Sequence, residues 1–117
     1  MLFRSQAILL QVNVSGEQSK EGWLVDDLKL NWQKIVNLPG LSIEGLMTMP
    51  PATKNPDEAR LYFKKLKSLR DELKPKAGHH PMTELSMGTT QDYKVAVEEG
   101  ATYIRIGTRL FGERLQS

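Results

Sequence analysis

Tyr103-Ile104-Arg105-Ile106-Gly107-Thr108, followed by Arg109-Leu110-Phe111-Gly112, is the stretch that decides the fold. Alternation within a strand from Thr102 to Ile106 places Ile104 and Ile106 on one face and Tyr103, Arg105 and Gly107 on the other. The isoleucines suit a layer beneath helices. Arg105 then points to the opposite side, where burying an unpaired guanidinium is costly unless an acceptor or an anion meets it. Gly107 lets a ligand approach the backbone closely, and Thr108 supplies a hydroxyl where a helix from Arg109 to about Leu115 begins. Free N–H groups and the dipole at a helix start favour phosphate at such a turn.

One unit earlier, Leu85-Ser86-Met87-Gly88-Thr89-Thr90 repeats the arrangement: a strand from Met82 to Met87 runs into glycine, hydroxyls and a helix that Thr90 caps and that extends to Gly100. A single Gly-Thr turn is more often a plain helix cap than a ligand site. Two of them on successive strands, one carrying Arg105, fit an anion cradle better.

The remaining chain continues the alternation. Ala7 to Val14 is a short apolar run of strand formers closed by Ser15-Gly16. From Trp23 to Leu38, Leu24, Leu28, Ile35 and Val36 recur at helical spacing beside Trp32, and Pro39-Gly40 ends the helix. Leu41 to Met49 is again a strand, stopped by the rigid Pro50-Pro51. Asn55-Pro56-Asp57-Glu58 then supplies an N-cap, a first-turn proline and two acids for a helix whose stripe is Ala59, Tyr62, Phe63, Leu66, Leu69 and Leu73. Strand followed by helix, four times over, predicts parallel strands joined by right-handed crossovers, an α/β fold. Four units make a small open sheet or half of a (β/α)8 barrel. Phosphate turns after the last two strands favour the barrel, because that is where such barrels hold their anion.

Composition bounds the rest. At 117 residues, with 39% hydrophobic and 26% charged, the chain is one domain of globular composition. Sixteen basic against 14 acidic residues leave a net charge of +2, which implies no nucleic-acid partner. Lys64, Lys65, Lys67 and Arg70 share their helix with Glu58, Asp71 and Glu72 and read as a solvated face. No apolar run is long enough to cross a bilayer. The lack of cysteine excludes disulfides and thiolate metal sites and is compatible with a reducing cytoplasm. His79-His80 project differently and have no third ligand at suitable spacing, so they read as loop residues rather than a metal site. Asp26-Asp27 and Glu98-Glu99 are neighbours that share no helix face, so no acid/base pair emerges.

VNVSGEQSKEGW, GLMTM, ELSMGTTQDYKVAVEEGAT and YIRIGTRLFGER together resemble the YggS/PROSC family of pyridoxal 5'-phosphate homeostasis proteins. The resemblance implies a parallel (βα)4 half of an alanine-racemase-like (β/α)8 barrel of TIM type. It also implies a cofactor phosphate held by Ser86, Met87 and Gly88 together with Gly107 and Thr108. Arg105 matches the family arginine that faces the pyridine nitrogen. There it stays cationic and disfavours the pyridinium that acts as an electron sink, which suits a non-enzymatic carrier. The matching blocks are those of the C-terminal half, so Met1 falls near the fifth of eight barrel units and the Schiff-base lysine belongs to an earlier strand. Thr89 and Thr90 stand where methionine and serine are common. Lys20 matches a recurrent SKxG block and is otherwise a solvated lysine.

A half-barrel is expected to leave unpaired edges at Ala7–Val14 and Thr102–Ile106, and so to form a homodimer or to join a complementary N-terminal half. Two other readings remain open at this point. One is a subunit of a phosphate-ligand barrel enzyme completed by a partner chain, and the other is an inactive fragment that retains the turns.

Overall fold

The computed structural model describes residues 5–17, 21–51 and 53–105. Strands β1 (Gln6–Asn13), β2 (Trp23–Leu24), β3 (Leu41–Met47) and β4 (Glu84–Ser86) form one sheet in the order β2-β1-β3-β4, every pairing parallel. Helices α1 (Val25–Val36), α2 (Pro56–Leu73) and α3 (Tyr93–Glu98) alternate with them. This is the α/β class expected. Of the last predicted strand, Tyr103 forms a single parallel bridge to Ser86. Ile106 and the helix predicted from Arg109 to Leu115 lie outside the described residues.

The clearest element is α2, and its sequence explains it. Asn55 Oδ1 accepts from Asp57 N at 2.9 Å, Pro56 opens the first turn, and Asp57 and Glu58 complement the dipole. Ala59, Phe63, Leu66, Leu69 and Leu73 are buried on one stripe, while Tyr62 is only half-buried at its rim. Burial contributes about 2 kcal/mol for a side chain such as Phe63 or Leu66 before entropy is counted. The helix packs on β3 and β4 and touches both α1 and α3. Val12, Ile43, Leu46 and Leu85 from the sheet, Leu28, Trp32 and Ile35 from α1, and Val95 and Ala96 from α3 join it in one core.

Several boundaries differ from the sequence reading, each for a local reason. The first helix begins at Val25, because Trp23 and Leu24 pair with Val12 and Asn13 as a short strand. Leu24 is consequently exposed rather than part of the helical stripe. The edge of β1 expected to be bare is therefore covered at its C-terminal end. The third strand is only Glu84–Ser86, since Met82 adopts a positive φ of 47° and breaks the extended path. The second strand carries a bulge: Ile8 pairs with Ile43 and Leu9 with Gly45, leaving Glu44 as the extra residue. That insertion lets Ile43 and Leu46, three positions apart, both face the core.

His80 is a buried brace. Ile43 N donates to its Nδ1 at 3.0 Å, so the ring proton sits on Nε2, which lies 2.9 Å from the Val36 carbonyl. Both nitrogens are thus committed to the backbone, tying the end of α1 to β3. On α2, Arg70 Nη1 donates to the Thr83 carbonyl at 2.7 Å and Nε to Asp71, so this cation of the expected solvated face is used internally.

Candidate functional site

The sheet sorts side chains by parity. Leu85, Met87 and Ile104 are buried in the core, so Ser86, Tyr103 and Arg105 lie on the opposite face. In register, Gln11, Met47, Ser86 and Tyr103 form one row across this face, and Arg105 stands one level nearer the C-terminal ends of the strands.

Backbone hydrogen bonds join the two turns singled out in the sequence. Tyr103 N donates to the Leu85 carbonyl, Met87 N to the Tyr103 carbonyl at 3.1 Å, and Arg105 N to the Gly88 carbonyl at 2.9 Å. Thr102 reinforces the seam, its hydroxyl accepting from Leu85 N at 2.8 Å and donating to the Leu85 carbonyl at 3.2 Å. Gly88 has φ 107°, and a Cβ there would come within 2.6 Å of the Ala96 Cβ. The glycine is needed for both reasons: few residues tolerate that backbone angle, and α3 leaves no room for a side chain.

Ser86, Met87, Gly88 and Arg105 therefore meet at the C-terminal end of the sheet. Met87 does so through its backbone, since its side chain is in the core. Gly107 and Thr108 lie outside the described residues, as does Lys20. The capping of α3 differs from expectation. Asp92 rather than Thr90 is the residue that precedes α3, and its carboxylate accepts from Thr89 N at 2.6 Å and from the Thr89 hydroxyl at 3.2 Å in the turn ahead of the helix.

A cavity of about 280 Å³ opens here, lined by Thr48, Met49, Pro50 and Thr53 from the segment after β3, by Gly88, Thr89 and Asp92 from the turn before α3, and by Arg105. The Arg105 guanidinium forms no ion pair among the described residues; its side-chain contact is with Met47 Sδ, 3.8 Å from Nη2. A guanidinium carries five donors, and a thioether is a weak acceptor for any of them. This half-buried cation at the rim of a cavity is thus equipped for an acceptor from outside the described chain. Crevices beyond the carboxyl ends of parallel strands are where α/β sheets hold ligands.

This wall of Thr48, Met49, Pro50, Pro51 and Thr53 was not among the site residues expected from the sequence. Its signal was Pro50-Pro51 at the end of a strand, read only as a stop. Thr48 fixes the start of this wall: its backbone N donates to the Ser86 carbonyl at 3.0 Å and its hydroxyl to the Val12 carbonyl at 2.8 Å. On the far side of α3, Arg60 of α2 binds Glu99 at 2.7 Å, Glu98 at 2.9 Å and Asp57 at 3.3 Å. Glu99 first, then Glu98, hold the guanidinium further above its ordinary pKa, so this cluster stays charged and clamps α3 to α2.

Comparison with known proteins agrees with this architecture. The model of the alanine racemase N-terminal domain family matches residues 2–115. A pyridoxal phosphate homeostasis protein of Aquifex aeolicus is 48% identical over 109 residues, covering 93% of this chain and 47% of that protein. The structure of PipY from Synechococcus elongatus PCC7942 without PLP aligns with a TM-score of 0.81 at 38% identity, over 93% of this chain and 51% of that one. The same protein with PLP bound aligns with a TM-score of 0.77 at 35% identity, over 93% and 50%. The chain spans about half the length of the curated relatives it matches.

Proposed function

Because the chain belongs to the alanine racemase N-terminal domain family, we propose that it binds pyridoxal 5'-phosphate without catalysing a reaction and serves vitamin B6 homeostasis. The observation that carries this reading is Arg105, a cation with no acidic partner among the described residues, lining the cavity beside the Gly88 turn. Ser86, the Met87 backbone and Gly88 would hold the phosphate together with Gly107 and Thr108, and Arg105 would donate to the ring nitrogen. Pyridoxal phosphate, when bound, supplies an electron-withdrawing ring. Arg105 keeps its own proton and leaves that nitrogen unprotonated, which weakens the electron sink that catalysis on the ring depends on. Support for the ligand comes from the relatives: the Aquifex protein carries the homeostasis name, and PipY has been solved with PLP bound.

In this reading the chain is the (βα)4 C-terminal half of a (β/α)8 barrel, and its turns hold the phosphate end of the ligand. Among the described residues, β1 has a strand on one side only from Gln6 to Gln11, which favours a second copy or a complementary N-terminal half along that edge. Titration with pyridoxal 5'-phosphate, followed by amide chemical shifts at Gly88 and Arg105, tests the site. Arg105→Ala should weaken binding with the fold intact. No response at either amide up to several millimolar ligand would refute the reading.

A further inference from the structure

Met49 is 56% exposed although it follows a strand whose other apolar residues are largely covered, and it lines the cavity together with Pro50 and Arg105. Nothing in the core explains a thioether held at that mouth. Its position is set by Thr48, fully buried and bonded to the Val12 carbonyl on one strand, and by the two prolines that follow. The result is that an apolar segment and a guanidinium line one cavity of about 280 Å³. A planar, aromatic nitrogen base suits this pairing: its edge accepts from Arg105 while its face packs on sulfur and proline, and sulfur–aromatic contacts are favourable at about 5 Å. An aliphatic phosphate would use the Gly88 turn and leave the wall bare.

We infer that Met49, with Pro50 beside it in the chain, is the specificity-determining wall for the ring of the ligand, so that this site prefers an aromatic phosphate to an aliphatic one. The inference rests on the pyridoxal phosphate reading and adds to it the surface that recognises the ring. The experiment uses the full chain labelled at the methionine methyls with carbon-13, the Met49 signal being assigned through Met49→Leu. Two probes are compared: pyridoxine 5'-phosphate, which carries the ring but no aldehyde to react with lysines, and glycerol phosphate, which carries only the phosphate.

The expected result is a ring-current shift of the Met49 methyl with pyridoxine 5'-phosphate and none with glycerol phosphate. Met49→Leu should weaken the aromatic probe about two- to tenfold, the range of a sulfur–aromatic contact, and leave the aliphatic one unchanged. If the Gly88 amide responds to pyridoxine 5'-phosphate while the Met49 methyl does not move, the inference is overturned and the phosphate site stands. Equal loss of both probes in Met49→Leu also overturns it, because it would make Met49 a structural residue. Silence of every signal to both probes refutes the phosphate reading, and the inference falls with it.

Discussion

Replacing Gly88 by alanine should be among the most damaging single-methyl additions in the chain. At φ 107° an L-residue is strained, which costs about 1–3 kcal/mol. The new Cβ would lie 2.6 Å from the Ala96 Cβ and 3.3 Å from Ile104 Cγ2, where carbon atoms prefer roughly 3.5–4.0 Å. Ala96 is fully buried against α2, so α3 would have to shift by about 1 Å, an overpacking penalty of about 1–3 kcal/mol. Together these give about 2–6 kcal/mol, a large share of the roughly 5–15 kcal/mol that stabilises a domain. Urea unfolding followed by the fluorescence of Trp32, which is buried, should show a midpoint lower by roughly 1–3 M at an m-value of about 2 kcal/mol per M. The double mutant Gly88→Ala, Ala96→Gly removes the steric part and keeps the backbone strain, so it should recover about 1–3 kcal/mol as coupling. A loss below about 1 kcal/mol for Gly88→Ala, with an unchanged m-value, would refute the argument that this turn is held closed by α3.

Gly45→Ala should be at least as harmful, about 3 kcal/mol or more, because its Cβ would run into the Glu84 carbonyl on the neighbouring strand. Gly78→Ala, whose Cβ meets nothing but whose φ of 60° strains an L-residue, separates backbone strain from steric clash in the same urea assay and should cost only about 1–2 kcal/mol. His80→Ala removes the partner of the buried Ile43 N–H and that of the part-buried Val36 carbonyl, a loss of about 1–3 kcal/mol. Hydrogen exchange at the Ile43 amide should accelerate in step, and unchanged protection there would count against the brace.

The sequence was most informative where chemistry is local. Asn55-Pro56-Asp57-Glu58 announces the start of α2 because cap, proline and acids act within a single turn. Ile104 and Arg105 fall on opposite faces because parity within one strand is local as well. What escaped depends on neighbours distant in the chain. Trp23 and Leu24 look helical by spacing and become a strand because β1 offers them an unpaired edge. His80 reads as a loop residue until the backbone of Ile43 and Val36 closes on both ring nitrogens. Asp92 is a different case: it immediately precedes α3, and which residue of Thr89-Thr90-Gln91-Asp92 opens the helix is set by the folded turn, where its carboxylate meets Thr89 N. Of the candidate site, Ser86, Met87, Gly88 and Arg105 were legible from the strand-glycine-hydroxyl pattern. The wall at Met49 was not, since its exposure is a property of the folded mouth.

Parity also explains why core and site coexist on so small a sheet. Ile8, Leu10 and Val12 on β1, Leu85 on β4 and Ile104 beyond it all face the helices, so Leu9 and Gln11 on β1, Ser86 on β4 and Arg105 face the other way. β3 would break this rule if it paired without interruption, because Ile43 and Leu46 differ in parity. The extra residue at Glu44 corrects it. With the bulge, Leu46 enters the core opposite Leu85, and Met47 reaches the face where its sulfur meets Arg105. Without it, either Ile43 would leave the core, or Leu46 would leave the core and Met47 would leave the arginine together. The bulge therefore serves packing and site together, and the same register brings Gly45 against Glu84 so closely that no side chain fits between the strands.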